Sequence, residues 1–420
     1  MTADFFQAPR AGSPIKGEIR IPGSKSLTNR EIFLSALAQG VSVLKKPLIS
    51  RDSELMLNAI RQFGSEVEIN HDEISISPAT FQSEAEIHCG LAGTVMRFVP
   101  LMAALNNQKT VFLADKEANS RPLDAIFDAL GQLGVEYQKS SDNFPFTMNP
   151  TGFVETNKVI IDASKSSQFV SALMLVAASF ENGLVITHQG GSLPSLPHIE
   201  MTIDSLKKRG VQVESLSESS WRIPNSPIRA REMVIEPDLS NAGPFLAAVM
   251  VAGGELEILD WPETTTQVGS QYLKLLGSMG AEFEKTATGM HIKSDGKIRG
   301  IDADLSEAGE LTPTIAALAA LADSPSKLSG IAHLRGHETD RLKALSSEIN
   351  RIGGDCEETD DGLILNPKKL TGGQWFSYHD HRMATAGTII GLAVDVEIEN
   401  IQTTAKTMPN FEKLWMETIA

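Results

Sequence analysis

Ser167-Gln168-Phe169-Val170-Ser171-Ala172-Leu173-Met174-Leu175-Val176-Ala177-Ala178-Ser179-Phe180-Glu181-Asn182-Gly183 is an almost wholly apolar run, opened by small polar residues and closed by glycine. It reads as a capped helix buried on every side. Twenty residues on, Ile203-Asp-Ser-Leu-Lys-Lys-Arg-Gly210 has apolar residues on one face only, and Val211-Gln-Val-Glu-Ser215 alternates after it. That is an amphipathic helix with a glycine stop, followed by a strand.

The same pair recurs along the chain. Apolar helices are expected near Thr28, Thr94, Ser167, Asn241, Thr312 and Met383, with starts 66, 73, 74, 71 and 71 residues apart. Amphipathic helices stop at Gly64, Gly134, Gly210, Gly280 and Gly353, and a sixth, Phe411-Glu-Lys-Leu-Trp-Met-Glu-Thr-Ile419, meets the C-terminus. A unit of about 70 residues repeated six times, one helix inside and one covering a sheet, implies an α/β (α+β) protein of two similar three-unit domains. The last unit lacks trailing strands, so Ile15–Ile21 is expected to supply them. The domains are then residues 1–20 with 236–420, and residues 21–235, with a ligand cleft between them.

The totals narrow the function. With 41% apolar and 21% charged residues, and no apolar run long enough to span a bilayer, the composition is that of a cytoplasmic globular protein. A formal charge of −16 disfavours nucleic acid and anionic membranes. Cys89 and Cys356 belong to no paired-cysteine motif and read as core residues.

Cations nevertheless gather at helix starts, where free N–H groups and the dipole favour anions. Pro22-Gly23-Ser24-Lys25-Ser26 leads to Arg30, Gly93-Thr94 to Arg97, Lys165-Ser166-Ser167-Gln168 opens the third apolar helix, and His379-Asp380-His381-Arg382 the sixth. The first is no Walker loop, because Lys25 does not follow glycine. His337-Glu338-Thr339-Asp340-Arg341 is no zincin, because Arg341 stands where a second histidine belongs, and His379 with His381 lacks a third ligand, so no metal is expected. Such a positive pocket in a negative protein calls for a ligand with several negative charges. Glu310 or Glu338 inside it would be an acid or base rather than an anion binder.

Together the clusters resemble the enolpyruvyl transferase family over nearly the whole chain. The likeness rests on Pro-Gly-Ser-Lys-Ser-x3-Arg at 22–30, Leu-Ala-Gly-Thr-x-Met-Arg at 91–97, Arg121-Pro122, Ser-Ser-Gln at 166–168, Glu-Thr-Asp-Arg at 338–341, Asp-His-Arg-Met at 380–383 and Ala-Lys-Thr at 405–407. It implies two domains of three βαβαββ units about inward-facing helices, joined by two crossovers and closing on ligands. The implied reaction moves the enolpyruvyl group of phosphoenolpyruvate to the 5-hydroxyl of shikimate 3-phosphate, in aromatic amino acid biosynthesis, with no cofactor. By resemblance, Lys25, Ser26, Arg30, Ser166, Ser167, Gln168, Ser195, Glu310 and His337 would hold shikimate 3-phosphate. Lys25, Gly93, Arg121, Gln168, Arg341, Arg382 and Lys406 would hold phosphoenolpyruvate, and Glu310, Lys25 and Glu338 would move protons.

The chain departs from many members at four places: Glu310 stands for Asp, His337 for Lys, His198 for Tyr and Phe98 for Pro. Two rivals remain. The sister transferase acting on UDP-N-acetylglucosamine usually carries a reactive loop cysteine, which the region near Arg121 lacks. A repeat scaffold that only binds would leave the acid and base residues without a role. The protein is expected to be a monomer.

Overall fold

The computed structural model describes residues 4–419. Among these residues twelve α-helices alternate in character as the repeat requires. The apolar set is α1 (Lys25–Ala36), α3 (Gly93–Ala103), α5 (Gln168–Ala177), α7 (Gly243–Ala252), α9 (Thr312–Ala319) and α11 (His381–Gly391); between them lie α2 (Arg51–Gln62), α4 (Asp124–Gln132), α6 (Leu196–Lys208), α8 (Tyr272–Ser278), α10 (Arg341–Arg351) and α12 (Phe411–Ile419). Every residue of α3 and of α9 is buried, whereas α2 and α10 bury one face. The glycines ending five of the amphipathic helices, Gly64, Gly134, Gly210, Gly280 and Gly353, have φ of 92°, 75°, 86°, 116° and 93°. A side chain there would crowd the backbone, so the helix stops where the glycine stands.

Six small sheets accompany the helices. In a complete unit such as residues 85–149, Ala85–His88 runs parallel to Thr110–Leu113, Phe146–Asn149 lies antiparallel beside it, and Glu136–Lys139 forms the far edge. The chain divides into two compact units, Met1–Pro22 with Glu236–Ala420, and Gly23–Ile235, each with three sheets and its own apolar core.

Strand supply corrects one expectation. Ile15–Ile19 does not trail the sixth repeat; it runs parallel to Gly254–Leu259 as the leading strand of the fourth. Phe5–Gln7, antiparallel to Val396–Glu399, completes the sixth, and Glu232–Val234, parallel to Ser42–Lys45, leads the first. α3, α5, α9 and α11 each cross from one strand to a parallel neighbour, so each of those repeats has its leading strand just before its apolar helix. The chain passes between units just ahead of α1, so the strand before α1 stays with the fourth repeat and the first repeat takes its leading strand from the returning chain. Contact at the borrowed edge is close: a Cβ on Gly254, whose φ is 104°, would lie 2.1 Å from the carbonyl oxygen of Ile15.

Candidate active site

In the unit 23–235 most of the side chains expected at the site lie at the starts of the apolar helices, with Arg121 after the 3-10 turn Lys116–Ser120 and Ser195 at the start of α6. α1 begins earlier than its apolar run, with Ser24 as cap accepting from the Leu27 amide, so Lys25 is itself in the first turn. Lys25 Nζ lies 3.6 Å from Asp52 Oδ2 in the first turn of α2. Arg30 is buried. It donates to Thr202 Oγ1 (2.8 Å), to the His198 carbonyl (3.0 Å), to Ser171 Oγ (3.4 Å) and to the Ser26 carbonyl (3.1 Å), tying α1 to α5 and α6. Ser195 opens α6 in a left-handed conformation, φ 53°.

Two arginines meet near the start of α3. Arg121 donates to the Leu91 carbonyl (2.8 Å), and its guanidinium lies so near Gly93 that a Cβ there would be 3.0 Å from Nη2. Arg97 donates to Gln168 Oε1 (2.8 Å) and Ser166 Oγ (3.4 Å), with its guanidinium carbon 5.2 Å from the Phe169 ring centre. Ser167 precedes α5 beside them and is buried. Burial first, then the charge of Arg121, pushes Arg97 down to about 9. Arg97 Nε, Arg121 Nε and Thr94 Oγ1 are buried without a hydrogen-bond partner among the described residues. Two close guanidiniums with no carboxylate between them among the described residues, near a helix start, have the chemistry to take an anion.

The other unit carries the acids. Glu310, in the 3-10 turn before α9, accepts from Ser240 Oγ and lies 3.5 Å from Arg382 Nη2. Asp380 caps α11 by accepting from the Arg382 amide (2.8 Å) and takes Arg341 through two bonds, Nε to Oδ2 at 2.7 Å and Nη2 to Oδ1 at 3.1 Å. Arg341 Nη1 lies 3.4 Å from His337 Nδ1. Glu338 pairs with Lys406 and accepts from His381 Nδ1 at 3.1 Å.

Burial, the largest influence on Glu338, would raise it, but Lys406, His381 and Arg341 outweigh it and hold the carboxyl well below its usual range. His381 is driven by burial to about 4. Glu338 is therefore an anion and His381 a neutral donor at pH 7. The donor atoms of Glu338, Asp380 and His381 all lie within 4.8 Å of one another. Both carboxylates already hold a cation of the protein, so the trio is an internal ion network. The two histidines of the His-Asp-His run part company, since His379 Nδ1 accepts from Asn400 Nδ2 (3.0 Å).

Residues 9–415 match the family model described as EPSP synthase (3-phosphoshikimate 1-carboxyvinyltransferase). The chain belongs to the EPSP synthase family. A 3-phosphoshikimate 1-carboxyvinyltransferase of Kocuria rhizophila is 48% identical over 430 residues, spanning 99% of this chain and 97% of that protein. Among solved structures, an EPSP synthase from Acinetobacter baumannii aligns with a TM-score of 0.81 at 22% identity, covering 99% of this chain and 98% of that one. The enolpyruvyl transferase NikO from Streptomyces tendae aligns with a TM-score of 0.75 at 15% identity, over 99% and 97%. These two share the fold of this EPSP synthase family member.

Most residues expected from the sequence fall into these clusters. Gly93, Arg121, Ser166 and Gln168 gather around Arg97; Glu310, His337, Glu338, Arg341, Arg382 and Lys406 share one chain of polar contacts around Asp380 and His381. Four partners were not singled out as site residues: Arg97, Asp380, His381 and Ser240. The first three lie inside quoted motifs, so the signal was present, but only burial reveals that Arg97 turns inward. Ser240 has no sequence signal. Cys89 and Cys356 are buried thiols, Cys356 pushed up to about 12 by burial and Cys89 further still, so neither is a reactive nucleophile. Among the described residues no helix is long and apolar enough to cross a membrane.

Proposed function

We propose that this chain transfers the enolpyruvyl group of phosphoenolpyruvate to the 5-hydroxyl of shikimate 3-phosphate, releasing phosphate, as a cytoplasmic monomer of the chorismate pathway. Family membership across residues 9–415 supports the reaction. The observation that carries the site is the buried Arg97 beside the half-buried Arg121, a pair that lacks an acid among the described residues and fits a phosphate or carboxylate of a small polyanion.

In this reading Lys25, Ser26, Arg30, Ser166, Ser167, Gln168, Ser195, Glu310 and His337 hold shikimate 3-phosphate. Lys25, Gly93, Arg121, Gln168, Arg341, Arg382 and Lys406 hold phosphoenolpyruvate, joined by Arg97. Glu310 removes the proton from the 5-hydroxyl as its oxygen bonds to C2 of phosphoenolpyruvate and C3 gains a proton. The tetrahedral adduct then expels phosphate while C3 gives a proton back. Glu338, already ionised, suits the acceptor in that second step, and the ammonium of Lys25 suits the donor in the first. The arginines neutralise the charge that collects on the departing phosphate. The reaction needs residues from both units on one pair of ligands, so binding should bring the units together.

The direct test is phosphate release by the purified protein. Release that requires both phosphoenolpyruvate and shikimate 3-phosphate supports the assignment; release with UDP-N-acetylglucosamine in place of shikimate 3-phosphate overturns it.

A further inference from the structure

The chain enters α11 through two consecutive left-handed residues, Tyr378 at φ 54° and His379 at φ 57°. Neither is glycine, and a Cβ in that region crowds its own backbone. Such a pair persists only where neighbouring bonds hold it. Tyr378 Oη donates to Glu348 Oε1 at 2.6 Å, and the buried Glu348 also accepts from the Phe376 amide at 3.0 Å. The His379 carbonyl accepts from Thr403 Oγ1 at 2.9 Å, its Nδ1 from Asn400 Nδ2 at 3.0 Å, and its amide donates to Ser377 Oγ at 3.3 Å.

These bonds join two pieces of the site. The residues directly after His379 are Asp380, His381 and Arg382. Asn400 directly precedes the 3-10 turn Ile401–Lys406, in which Thr403 lies three residues before Lys406. Glu338 closes the loop by meeting both His381 and Lys406. The start of α11 and the Lys406 turn are thus linked twice, once through Glu338 among the polar residues of the site and once through His379.

We propose that His379, braced by Tyr378, is a positioning residue that sets the spacing of Arg382 and Lys406 and thereby the affinity of the site for phosphoenolpyruvate. This rests on the reading above that those two cations hold that substrate. A purely structural role for His379 would lower stability and all kinetic constants together; a positioning role separates them.

His379→Ala removes the Nδ1 acceptor, Thr403→Val removes the donor to the carbonyl, and His379→Asn restores a short polar side chain that tolerates the left-handed region. The first two should raise KM for phosphoenolpyruvate about tenfold with kcat and KM for shikimate 3-phosphate within about threefold, and His379→Asn should recover most of the loss. Unchanged KM for phosphoenolpyruvate in both variants overturns the proposal. So does a parallel fall of kcat, both affinities and melting temperature. Calorimetric titration with inorganic phosphate gives a readout free of turnover. Phosphate affinity should fall in His379→Ala, and equal affinity in parent and variant overturns the proposal even if the parent proves inactive, the result that would refute the assigned reaction instead.

Discussion

Replacing Arg97 by methionine should leave the ligand-free protein about as stable as the parent while removing most of its affinity for phosphoenolpyruvate. The side chain belongs to a residue only 5% exposed, and no carboxylate among the described residues pairs with it. Its fall from 12.5 to about 9 corresponds to about 5 kcal/mol working against the charged form, at about 1.4 kcal/mol per unit. Two contacts oppose that penalty. The charge-assisted bond to Gln168 contributes about 1.5 to 3 kcal/mol and the position over Phe169 about 1 to 2. Methionine keeps the apolar stem and sheds both the penalty and the contacts, so the net change in unfolding free energy should lie between about 0 and 2.5 kcal/mol, on the stabilising side. A bound anion reverses the balance by supplying the missing counter-charge. Truncating one member of a buried charged pair costs about 2 to 5 kcal/mol, roughly 30-fold to several-thousand-fold in Kd. Urea unfolding of the ligand-free proteins and calorimetry of phosphoenolpyruvate binding with shikimate 3-phosphate present measure the two halves. A stability loss above about 3 kcal/mol with unchanged affinity would show Arg97 to be a structural clamp and refute the reasoning.

Lys25→Met should reduce kcat at least about a thousandfold with the fold retained, because Asp52 sits in the first turn of α2, where the helix dipole favours a carboxylate; a parental rate would remove Lys25 from the chemistry. His381 titrates near 4 in the folded chain and near 6.5 when unfolded, so the unfolded state takes the proton first and stability falls as pH drops from 6.5 toward 4, by about 3 kcal/mol in all. His381→Asn should flatten that part of a stability-against-pH curve, and identical slopes above pH 4.5, where the depressed Glu338 stays ionised, would contradict the assignment. Arg209 and Glu31 form a fully buried pair, Nη2 to Oε2 at 2.9 Å, and Arg209 also donates to Ser35, Ser42 and the Arg229 carbonyl. Arg209→Met should destabilise by about 3 to 5 kcal/mol by stranding the carboxylate, and adding Glu31→Gln should recover part of it; additive losses in denaturant melts would deny the coupling. Small-angle scattering should give a smaller radius of gyration with both ligands than with neither, and equal values would count against a shared site.

Much of this molecule was legible before any coordinates. The helix period, the apolar runs and the glycine stops are local, because a helix forms from residues three and four apart and a glycine is needed wherever φ turns positive. The repeat followed from them, and the motifs at the helix starts named Lys25, Arg121, Glu338 and Arg382. What the sequence could not supply is long-range. Which strand leads or trails a repeat depends on where the chain leaves one unit for the other, and no local pattern separates Ile15–Ile19 from the trailing strand found at Phe5–Gln7. The sequence marks Arg97 as a cation near a helix start, but its burial against Phe169 and Gln168 exists only once α5 packs against α3. The ionised state of Glu338 beside a neutral His381 comes from water excluded by distant segments and from Lys406, 68 residues away. Local propensity therefore determined the elements, and the resemblance carried by the motifs supplied the expected site residues, whereas tertiary packing decided strand partners, burial and charge state, because those energies exist only once remote segments meet.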